Sequence, residues 1–474
     1  MRLRNLSRGA LLDAGRGGMI RVVMEFRPMQ TASMDGSTRR AAALATILRD
    51  AGARPGRPVV ARMASADALA TAACAAFALD RPFFPLDPNL PDGVTRNLLD
   101  QIGDHLKVDL SPEEILALPP GAAPPFLPPR GPALLIATSG SSGRPKAVVL
   151  TGEALAASAR ASAQATPLRP GDRWLACLPL FHIGGFSILT RCALAGADPV
   201  LHQGFDAARI HDALVEGGIS HVSLTPTMLA QLLALDRPAP PTLRHALVGG
   251  AALPAELARR AARAGWPIQP TYGMSETCAQ IATLPNLPPD WRSGCVGRSL
   301  PGVEIARDDE GRLKIRGPML MRGYANPDLA PGEGVADGWF VANDLAEIAP
   351  DGSLTILGRA DETIVTGGKK VHPAAVENLL AQCPGVTFVA VAGRPDPVWG
   401  AIVTALYCGP MLPDDLLNWC RGAMSGAWRP RAAVRLEAPP LLANGKPDRL
   451  KLRELARGDE AKAGTIRQNE GAVS

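Results

Sequence analysis

One stretch of the sequence combines hydroxyl groups, glycines and a lysine in a pattern that suits a polyphosphate. The segment LLIATSGSSGRPKAVVLT, residues 134–151, places four hydroxyls and two glycines within six residues and then reaches Lys146. Glycines let backbone N–H groups approach an anion, hydroxyls add donors, and the lysine adds a positive charge. The glycine spacing differs from the P-loop pattern GxxxxGK[ST], and Ala147 stands where that pattern requires a hydroxyl. The apolar runs on both sides predict two strands joined by a phosphate-binding loop.

A second stretch, PTYGMSETCAQIATL at residues 270–284, brings an aromatic ring, a hydroxyl and a carboxylate together. Tyr272 offers a flat face to a base, Ser275 a phosphate contact, and Glu276 a hard oxygen ligand for Mg²⁺. A glutamate at the start of a helix also serves as a partner of the helix dipole, and this alternative stays open. We expect the loop to lead into a helix whose first residues are Ser275, Glu276 and Thr277.

Three shorter stretches each carry one or two charged groups. Asp344 in DGWFVANDLAEI follows a predicted strand and suits both hydroxyls of a ribose. Arg359 and Asp361 lie in LGRADETIVTGGKKV, and Lys446 lies in LLANGKPDRLKL. Taken singly, each of these residues is also compatible with a turn or a surface position.

The elements that must position these groups follow two patterns along the chain. From residue 57 to about 290, strand and helix signals alternate, which is typical of α/β layers with parallel sheets. Beyond about 290, short strands and turns predict a β-rich subdomain, and after Asp361 a smaller α+β unit follows. Near the start, a helix is expected over residues 37–53, with Ser37 as its cap and Gly52 as its stop.

The predicted fold is therefore α/β: a large N-terminal domain of layered α/β sheets plus a β-rich subdomain, followed by a small mobile α+β C-terminal domain. We place an N-terminal extension at 1–36 and the large domain at 37–360. The small domain is expected at 361–457, and a disordered tail at 458–474.

Composition excludes several classes of protein. The 474 residues carry a net charge of only +5, and no basic stripe with interleaved aromatic residues predicts nucleic-acid binding. The eight cysteines lack CxxC pairs, which favours reduced thiols and a cytoplasmic location. The apolar stretch at 66–79 is short and alanine-rich, so it predicts a buried helix rather than membrane insertion.

Together, the five stretches resemble the adenylate-forming superfamily of acyl- and aryl-CoA synthetases, from about residue 37 to 451. The resemblance implies that ATP, Mg²⁺ and CoA are used: a carboxylic acid is adenylated with release of pyrophosphate, and the CoA thiol then attacks the adenylate. It implies that ATP is bound by Thr138, Ser139, Gly140, Ser141, Ser142, Gly143, Lys146, Gly249, Gly250, Ala251, Thr271, Tyr272, Gly273, Met274, Ser275, Asp344 and Arg359.

The same resemblance assigns roles outside the nucleotide pocket. It implies that Glu276 binds the metal ion and that Asp361 is the hinge of the small domain. The implied catalytic residues are Lys446, His182 and Lys146. The implied CoA-binding residues are Gly367, Gly368 and Lys370.

Residues 179–196 and 271–284 resemble one group within this superfamily, the 2-succinylbenzoate–CoA ligases of menaquinone biosynthesis. The implied acyl pocket contains His182, Ser187, Arg191 and Thr225. Arg191 lies four residues after Ser187 on one predicted helix, where it would attract a second carboxylate. A surface position of Arg191 is the alternative.

One departure and three alternatives remain at this point. The superfamily usually has Thr-Gly before the ribose aspartate, whereas this chain has Ala342-Asn343. The acid could be another aryl or fatty acid, the acceptor could be a separate carrier protein, or the chain could be a non-catalytic nucleotide-binding relative. The expected partners are small molecules, and a homodimer is compatible with the sequence.

Overall fold

The computed structural model describes residues 32–52, 56–138, 145–326, 331–442 and 445–458, with side chains from residue 36 onward. The described residues include twelve α-helices, α1 to α12 in chain order: Met34–Asp50, Ala66–Ala78, Asp92–Ile102, Pro112–Leu116, Gly152–Ala165, Ile183–Ala195, Ala207–Glu216, Pro226–Leu233, Ala255–Arg263, Pro373–Leu380, Pro413–Ala423 and Arg449–Arg457.

The strands of the same described residues number twenty-four. Strands β1 to β12 are Ala32–Ser33, Val59–Arg62, Phe83–Leu86, Leu106–Lys107, Pro132–Thr138, Lys146–Thr151, Arg173–Ala176, Asp198–Leu201, His221–Leu224, His245–Val248, Ile268–Met274 and Ala279–Thr283. Strands β13 to β24 are Cys295–Ser299, Glu304–Arg307, Arg312–Arg316, Gly323–Tyr324, Val335–Ala336, Trp339–Ile348, Ser353–Arg359, Ile364–Thr366, Lys369–Val371, Phe388–Asp396, Gly400–Cys408 and Ala432–Arg435.

The largest sheet joins a parallel half to an antiparallel half. Its order is β1-β8-β7-β9-β10-β11-β12-β13-β19-β18-β15-β14, with β17 beside β18. The strands from β8 to β11 pair in parallel, as alternating strands and helices predict, and the pairing becomes antiparallel from β11 onward. The carboxyl ends of the parallel strands therefore meet at one edge of this sheet, which is where α/β enzymes bind ligands.

A second sheet, in the order β16-β6-β5-β3-β2-β4, carries the predicted phosphate loop. β5 and β6 pair antiparallel, so the expected hairpin is confirmed. Most of its apolar residues are buried, and Leu134, Ile136 and Val148 are fully so. The strands on both sides of the loop are therefore anchored in the core.

Residues after Asp361 form sheets of their own. β20 pairs with β21, and β22, β23 and β24 form a three-stranded sheet. These strands and the helices α10 and α11 share a separate hydrophobic core that includes Val371, Val403, Tyr407 and Leu416. The expected α/β architecture, with a large N-terminal part and a smaller C-terminal part, is confirmed, while the domain boundaries stay predictions.

Two local expectations were wrong. The first helix begins at Met34 rather than after Ser37, and the Ser37 hydroxyl lies within it and binds the Asp67 carboxylate of α2. The segment 275–277 does not open a helix but forms one 3-10 turn. Cys278 and Ala279 follow with φ of 51° and 84°, left-handed conformations that reverse the chain into β12.

Among the described residues, no helix has the length and apolar content needed to cross a bilayer. The helix expected at 66–79 is α2, and most of its residues are buried. All eight cysteines are free thiols, as expected from their spacing.

Candidate active site

The predicted phosphate-binding cation, Lys146, lies where the hairpin strand β6 begins. Thr138 stands opposite Lys146 in the β5–β6 ladder, and the Thr138 hydroxyl donates to the Lys146 carbonyl at 3.4 Å. The Lys146 Nζ lies 4.3 Å from the centroid of the Tyr324 ring, a cation–π contact. The other predicted members of the loop fall outside the described residues: Ser139, Gly140, Ser141, Ser142 and Gly143.

Tyr324 also contacts the predicted metal ligand. Its hydroxyl donates to Glu276 Oε1 at 3.2 Å, and burial raises the pKa of the Glu276 carboxyl group. Lys146, Tyr324 and Glu276 therefore form one connected cluster. Sequence reasoning missed Tyr324, whose only signal is rarity: the chain has three tyrosines, and two of them lie in this site.

The residues around Glu276 fit Mg²⁺ held partly by the substrate. No group of three or more histidines, cysteines, aspartates or glutamates in the described part of the chain is arranged to hold a metal ion. Mg²⁺ in phosphate-transferring sites is usually bound by one or two carboxylates together with the phosphates. A single buried carboxylate such as that of Glu276 suits this arrangement.

The predicted ribose carboxylate is bonded to the predicted adenine platform. The Tyr272 hydroxyl donates to Asp344 Oδ2 at 2.7 Å, and burial raises the pKa of Asp344. Asp344 stands opposite Arg359 in the β18–β19 ladder. Arg359 in turn donates from Nε and Nη2 to the two Asp361 oxygens at 2.9 and 2.7 Å. Arg359 thus binds the predicted hinge residue, and its contact with a nucleotide stays a prediction.

The two residues before the ribose carboxylate, Ala342 and Asn343, lie within β18. Ala342 is 1% exposed and belongs to the main hydrophobic core. The alanine that replaces the usual threonine is therefore part of the packing beneath Asp344.

Lys446 reaches this cluster from the C-terminal part of the chain. The preceding Gly445 carbonyl accepts a hydrogen bond from the Thr225 hydroxyl at 3.4 Å. Burial lowers the pKa of Lys446, and the negative charges of Asp344 and Glu276 oppose that shift. Three predicted residues that are far apart in sequence, Lys446, Asp344 and Glu276, are therefore close enough to interact electrostatically.

His182 completes the same region. Burial, together with the positive charge of Lys446, lowers the pKa of His182 from 6.5 to about 4. The imidazole is therefore neutral at physiological pH. His182 directly precedes α6 and is the last residue of the segment that joins β7 to α6.

The backbone predicted to line the adenine pocket runs beside Lys446. Gly250 has φ of +79°, and a Cβ built there would lie 2.6 Å from Lys446 Cε. A Cβ on Gly249 would lie 2.8 Å from the Thr271 side chain. Both glycines are therefore needed for this close approach. The other predicted residues of the pocket follow β10, belong to β11 or begin the 3-10 turn: Ala251, Thr271, Tyr272, Gly273, Met274 and Ser275.

Helix α6 carries two further predicted acyl-pocket residues. Ser187 and Arg191 lie one turn apart, and the Ser187 hydroxyl donates to the Gly184 carbonyl at 3.3 Å. Arg191 is only 5% exposed, so the alternative surface position is wrong. Its guanidinium carbon lies 5.3 Å from the Trp174 ring centroid, and burial lowers its pKa to about 10.

Arg191 has no counter-ion among the described residues. Its Nε is buried without a hydrogen-bond acceptor there, and none of the ion pairs of that part of the chain includes it. A buried charge is costly unless it is paired, so the position calls for an anion.

The predicted CoA-binding residues form the β20–β21 hairpin. Gly367 and Gly368 make its turn, with φ of +54° and +75°, and Lys370 lies on β21 opposite Val365. The Gly367 N–H donates to the Trp399 carbonyl at 2.9 Å, and a Cβ on Gly367 would lie 2.8 Å from the Trp399 ring. The hairpin thus packs closely on Trp399, an aromatic contact that sequence reasoning missed.

Two regions of the chain match models of AMP-binding enzymes. Residues 100–325 match the AMP-binding enzyme model, and residues 375–446 match the AMP-binding enzyme C-terminal domain. Among curated relatives, the 2-succinylbenzoate–CoA ligase of Bacillus velezensis is 34% identical over 339 residues, which cover 69% of this chain and 69% of the relative. The ligase of the same name from Bacillus licheniformis is 34% identical, covering 68% and 69%.

Solved structures of similar enzymes have the same fold. The o-succinylbenzoate CoA synthetase (MenE) of Bacillus subtilis in complex with the acyl-adenylate intermediate OSB-AMP superposes with a TM-score of 0.77 at 26% identity, covering 91% of this chain and 93% of that chain. The same enzyme in complex with ATP and magnesium ion gives a TM-score of 0.75 at 27% identity, covering 88% and 92%.

Proposed function

Because this chain belongs to the AMP-binding enzyme family, we propose that it is an ATP-dependent acid–thiol ligase acting on 2-succinylbenzoate. The enzyme adenylates the acid with release of pyrophosphate and then transfers the acyl group to CoA, a reaction of menaquinone biosynthesis. The names of the relatives support this substrate, and so do the structures with acyl-adenylate, ATP and magnesium ion.

The observation that carries the substrate proposal is the buried, unpaired Arg191. It lies eight residues along α6 from Ile183, about 12 Å at 1.5 Å of rise per residue. Helical side chains lean toward the amino end of their helix, and His182 directly precedes the amino end of α6. An acid with two carboxylates presents one to the adenylation site and the other to Arg191, which thereby gains its counter-ion.

The first half-reaction is catalysed by charges that already surround the site. The acid's carboxylate attacks the α-phosphate of ATP, and negative charge develops on the phosphate and on the departing pyrophosphate. Lys446 neutralises that charge between the acyl carboxylate and the α-phosphate, while Lys146 binds the β- and γ-phosphates. Glu276 would hold Mg²⁺ together with the phosphates, and the bound ion would supply further charge neutralisation. Asp344 binds the ribose hydroxyls, and Tyr272 lies against the adenine.

The second half-reaction requires Lys446 to leave the site. The C-terminal domain turns about Asp361, and the hairpin of Gly367 and Gly368 replaces the lysine beside the path of the thiol. Lys370 lies on that hairpin and binds a CoA phosphate. The Arg359–Asp361 ion pair supports this assignment, because it joins β19, the strand paired with the one that carries Asp344, to the pivot.

Two finer proposals concern the setting of the enzyme. Eight free cysteines favour a reducing compartment and support a cytoplasmic location. A homodimer is proposed as the assembly, and sedimentation equilibrium of the purified chain tests it directly.

A pyrophosphate-exchange assay with a panel of acids, followed by measurement of CoA consumption, tests the function. We expect the highest kcat/KM for 2-succinylbenzoate, with thioester formed in the presence of CoA. Exchange without thioester would instead indicate a carrier-loading enzyme, and no exchange with any acid would indicate a nucleotide binder. A higher kcat/KM for a fatty or simple benzoic acid would overturn the substrate but not the adenylation chemistry.

A further inference from the structure

Beside Arg191, Trp174 carries a second buried N–H donor that lacks an acceptor. Trp174 is 1% exposed, and its indole Nε1 has no hydrogen-bond partner among the described residues. Arg191 Nε is likewise buried without a hydrogen-bond partner among the described residues, and the two side chains are in cation–π contact. Buried N–H groups without acceptors are rare in native proteins, so two in one contact call for an explanation.

The Trp174 ring is held in a fixed orientation by a ladder across three strands. Trp174 of β7 is in register with His221 of β9, which is in register with His245 of β10. The Trp174 and His221 rings stack at 5.0 Å, and the two imidazoles stack at 4.7 Å. His221 is itself fixed, because Nε2 donates to the Pro167 carbonyl at 3.0 Å and Nδ1 bonds the Ser220 hydroxyl at 2.8 Å. The indole N–H is therefore preorganised rather than free to seek another partner.

We propose that Trp174 is a specificity-determining residue whose Nε1–H donates to the same carboxylate that Arg191 binds. The inference rests on the proposed function, because it requires an acid with a second carboxylate. A carboxylate accepts several hydrogen bonds, so it satisfies both donors at once. An acid without that carboxylate leaves both donors unpaired, and the site rejects it for that reason.

The test compares Trp174→Phe with a matched control. The phenylalanine keeps an aromatic ring in the stack and removes only the N–H and the larger ring system. Trp266→Phe is the control, because Trp266 is 3% exposed and its Nε1 also lacks a partner in the described part of the chain. Trp266 packs in a different hydrophobic cluster, together with Leu175 and Val248.

The substrates are 2-succinylbenzoate and two analogues that each lack one carboxylate, 4-oxo-4-phenylbutanoate and 2-butanoylbenzoate. The readout is selectivity, the ratio of kcat/KM for the dicarboxylate to that for the analogue that reacts. We expect Trp174→Phe to lower this ratio by about tenfold, mainly through KM, as loss of one hydrogen bond to a charged group predicts. Trp266→Phe should leave the ratio unchanged.

Each outcome decides the inference. Equal losses for dicarboxylate and analogue in Trp174→Phe, or the same change in Trp266→Phe, would show that Trp174 is only structural while the proposed function stands. Failure of the unmodified enzyme to use 2-succinylbenzoate would overturn both.

A measurement on the unmodified chain avoids any dependence on how the variant folds. With ¹⁵N-labelled tryptophan, 2-succinylbenzoate should move one indole N–H resonance downfield, and the reacting analogue should not. The absence of such a shift would overturn the hydrogen bond to Trp174.

Discussion

Two regions near opposite ends of the parallel strands differ in whether particular polar side chains have partners. At the carboxyl ends, the hydroxyls of Tyr272 and Tyr324 are bonded to carboxylates, and Lys446 lies within the field of Asp344 and Glu276. At the amino ends, Trp174 and Arg191 are buried donors without an acceptor among the described residues. The first region therefore pairs these groups within the protein, whereas two donors of the second region lack a partner among the described residues.

Under the proposed function, the first region takes part in the reaction itself. The second region, Trp174 and Arg191, distinguishes one acid from another, and we call it the selecting region. In the proposed function, groups near the carboxyl ends act on ATP and on the reacting carboxylate, which every acid substrate shares. Arg191 lies about two helical turns along α6, and we propose that it and Trp174 interact with the far end of the acid. Variants of the first region should therefore lower kcat for all acids, whereas variants of the second should change the choice of acid.

The largest effect is expected at Lys446. Lys446→Ala should lower the rate of adenylate formation by about 10²-fold or more, because a cation acting on developing charge is lost. Binding of ATP should change much less. Pyrophosphate exchange and ATP binding measure the two effects, with Lys451→Ala on the adjacent helix as the control. Exchange at the unmodified rate would show that Lys446 has no part in the chemistry.

Substitution at the proposed hinge should affect the two half-reactions differently. Asp361→Pro restricts φ at the pivot and also removes the partner of Arg359. Adenylate should still form, but transfer to CoA should fall by about 10²-fold if closure of the second state assembles the thiol site. Single-turnover measurement of each step is the test, with Asp351→Pro in the β18–β19 turn as the control. Equal damage to both steps would mean that Asp361 is merely structural.

Arg191 tests the selecting region directly. Arg191→Gln keeps polar N–H groups but removes the charge, so selectivity for 2-succinylbenzoate over its monocarboxylate analogue should fall about thirtyfold. Arg81→Gln is the matched control, since Arg81 is also buried, at 7% exposure, but lies between α2 and β3 rather than on α6. Loss of activity with both acids alike would contradict a separate selecting region.

Contiguous motifs allowed the sequence to predict most of the first region and little of the second. Lys146, Glu276, Asp344 and Lys446 each lie in a short stretch whose residue types indicate their chemistry. Tyr324 was missed because its role depends on contact with Glu276, 48 residues away. The stack beneath Arg191 depends on strand order, in which β9 separates β7 from β10, and no local spacing reveals that order.

A smaller effect is expected where a tyrosine connects two charged residues. Tyr324→Phe keeps the ring that contacts Lys146 but removes the hydrogen bond to Glu276, so kcat should fall about fivefold to tenfold for every acid. Tyr407→Phe is the control, because its hydroxyl donates to the Met411 carbonyl in the C-terminal part. A change in acid selectivity rather than in kcat would erase the distinction between the two regions.

The smallest effect is on the stability of the folded chain and involves His221, at the amino end of β9. Burial and the neighbouring His245 lower the pKa of His221 from 6.5 to about 4, with Asp172 opposing the shift and Arg244 reinforcing it. Between these values the unfolded chain binds a proton that the folded chain does not, so stability falls as the pH falls from 6.5 toward 4. At pH 5 the loss should be about 2 kcal/mol.

His221→Gln should remove that part of the pH dependence, although packing lost from the stack also lowers stability at pH 7. Urea unfolding between pH 5 and pH 7 measures the slope, and His202→Gln is the control, because His202 bonds the Gly204 carbonyl on an exposed loop. His182, whose pKa is also lowered to about 4, should preserve a residual slope in both variants. An unchanged slope in His221→Gln would mean that the pKa of His221 is the same in the folded and the unfolded chain, so the stack beneath Arg191 would gain and lose a proton near pH 6.5. It would then not be the neutral, fixed support that the selecting region requires.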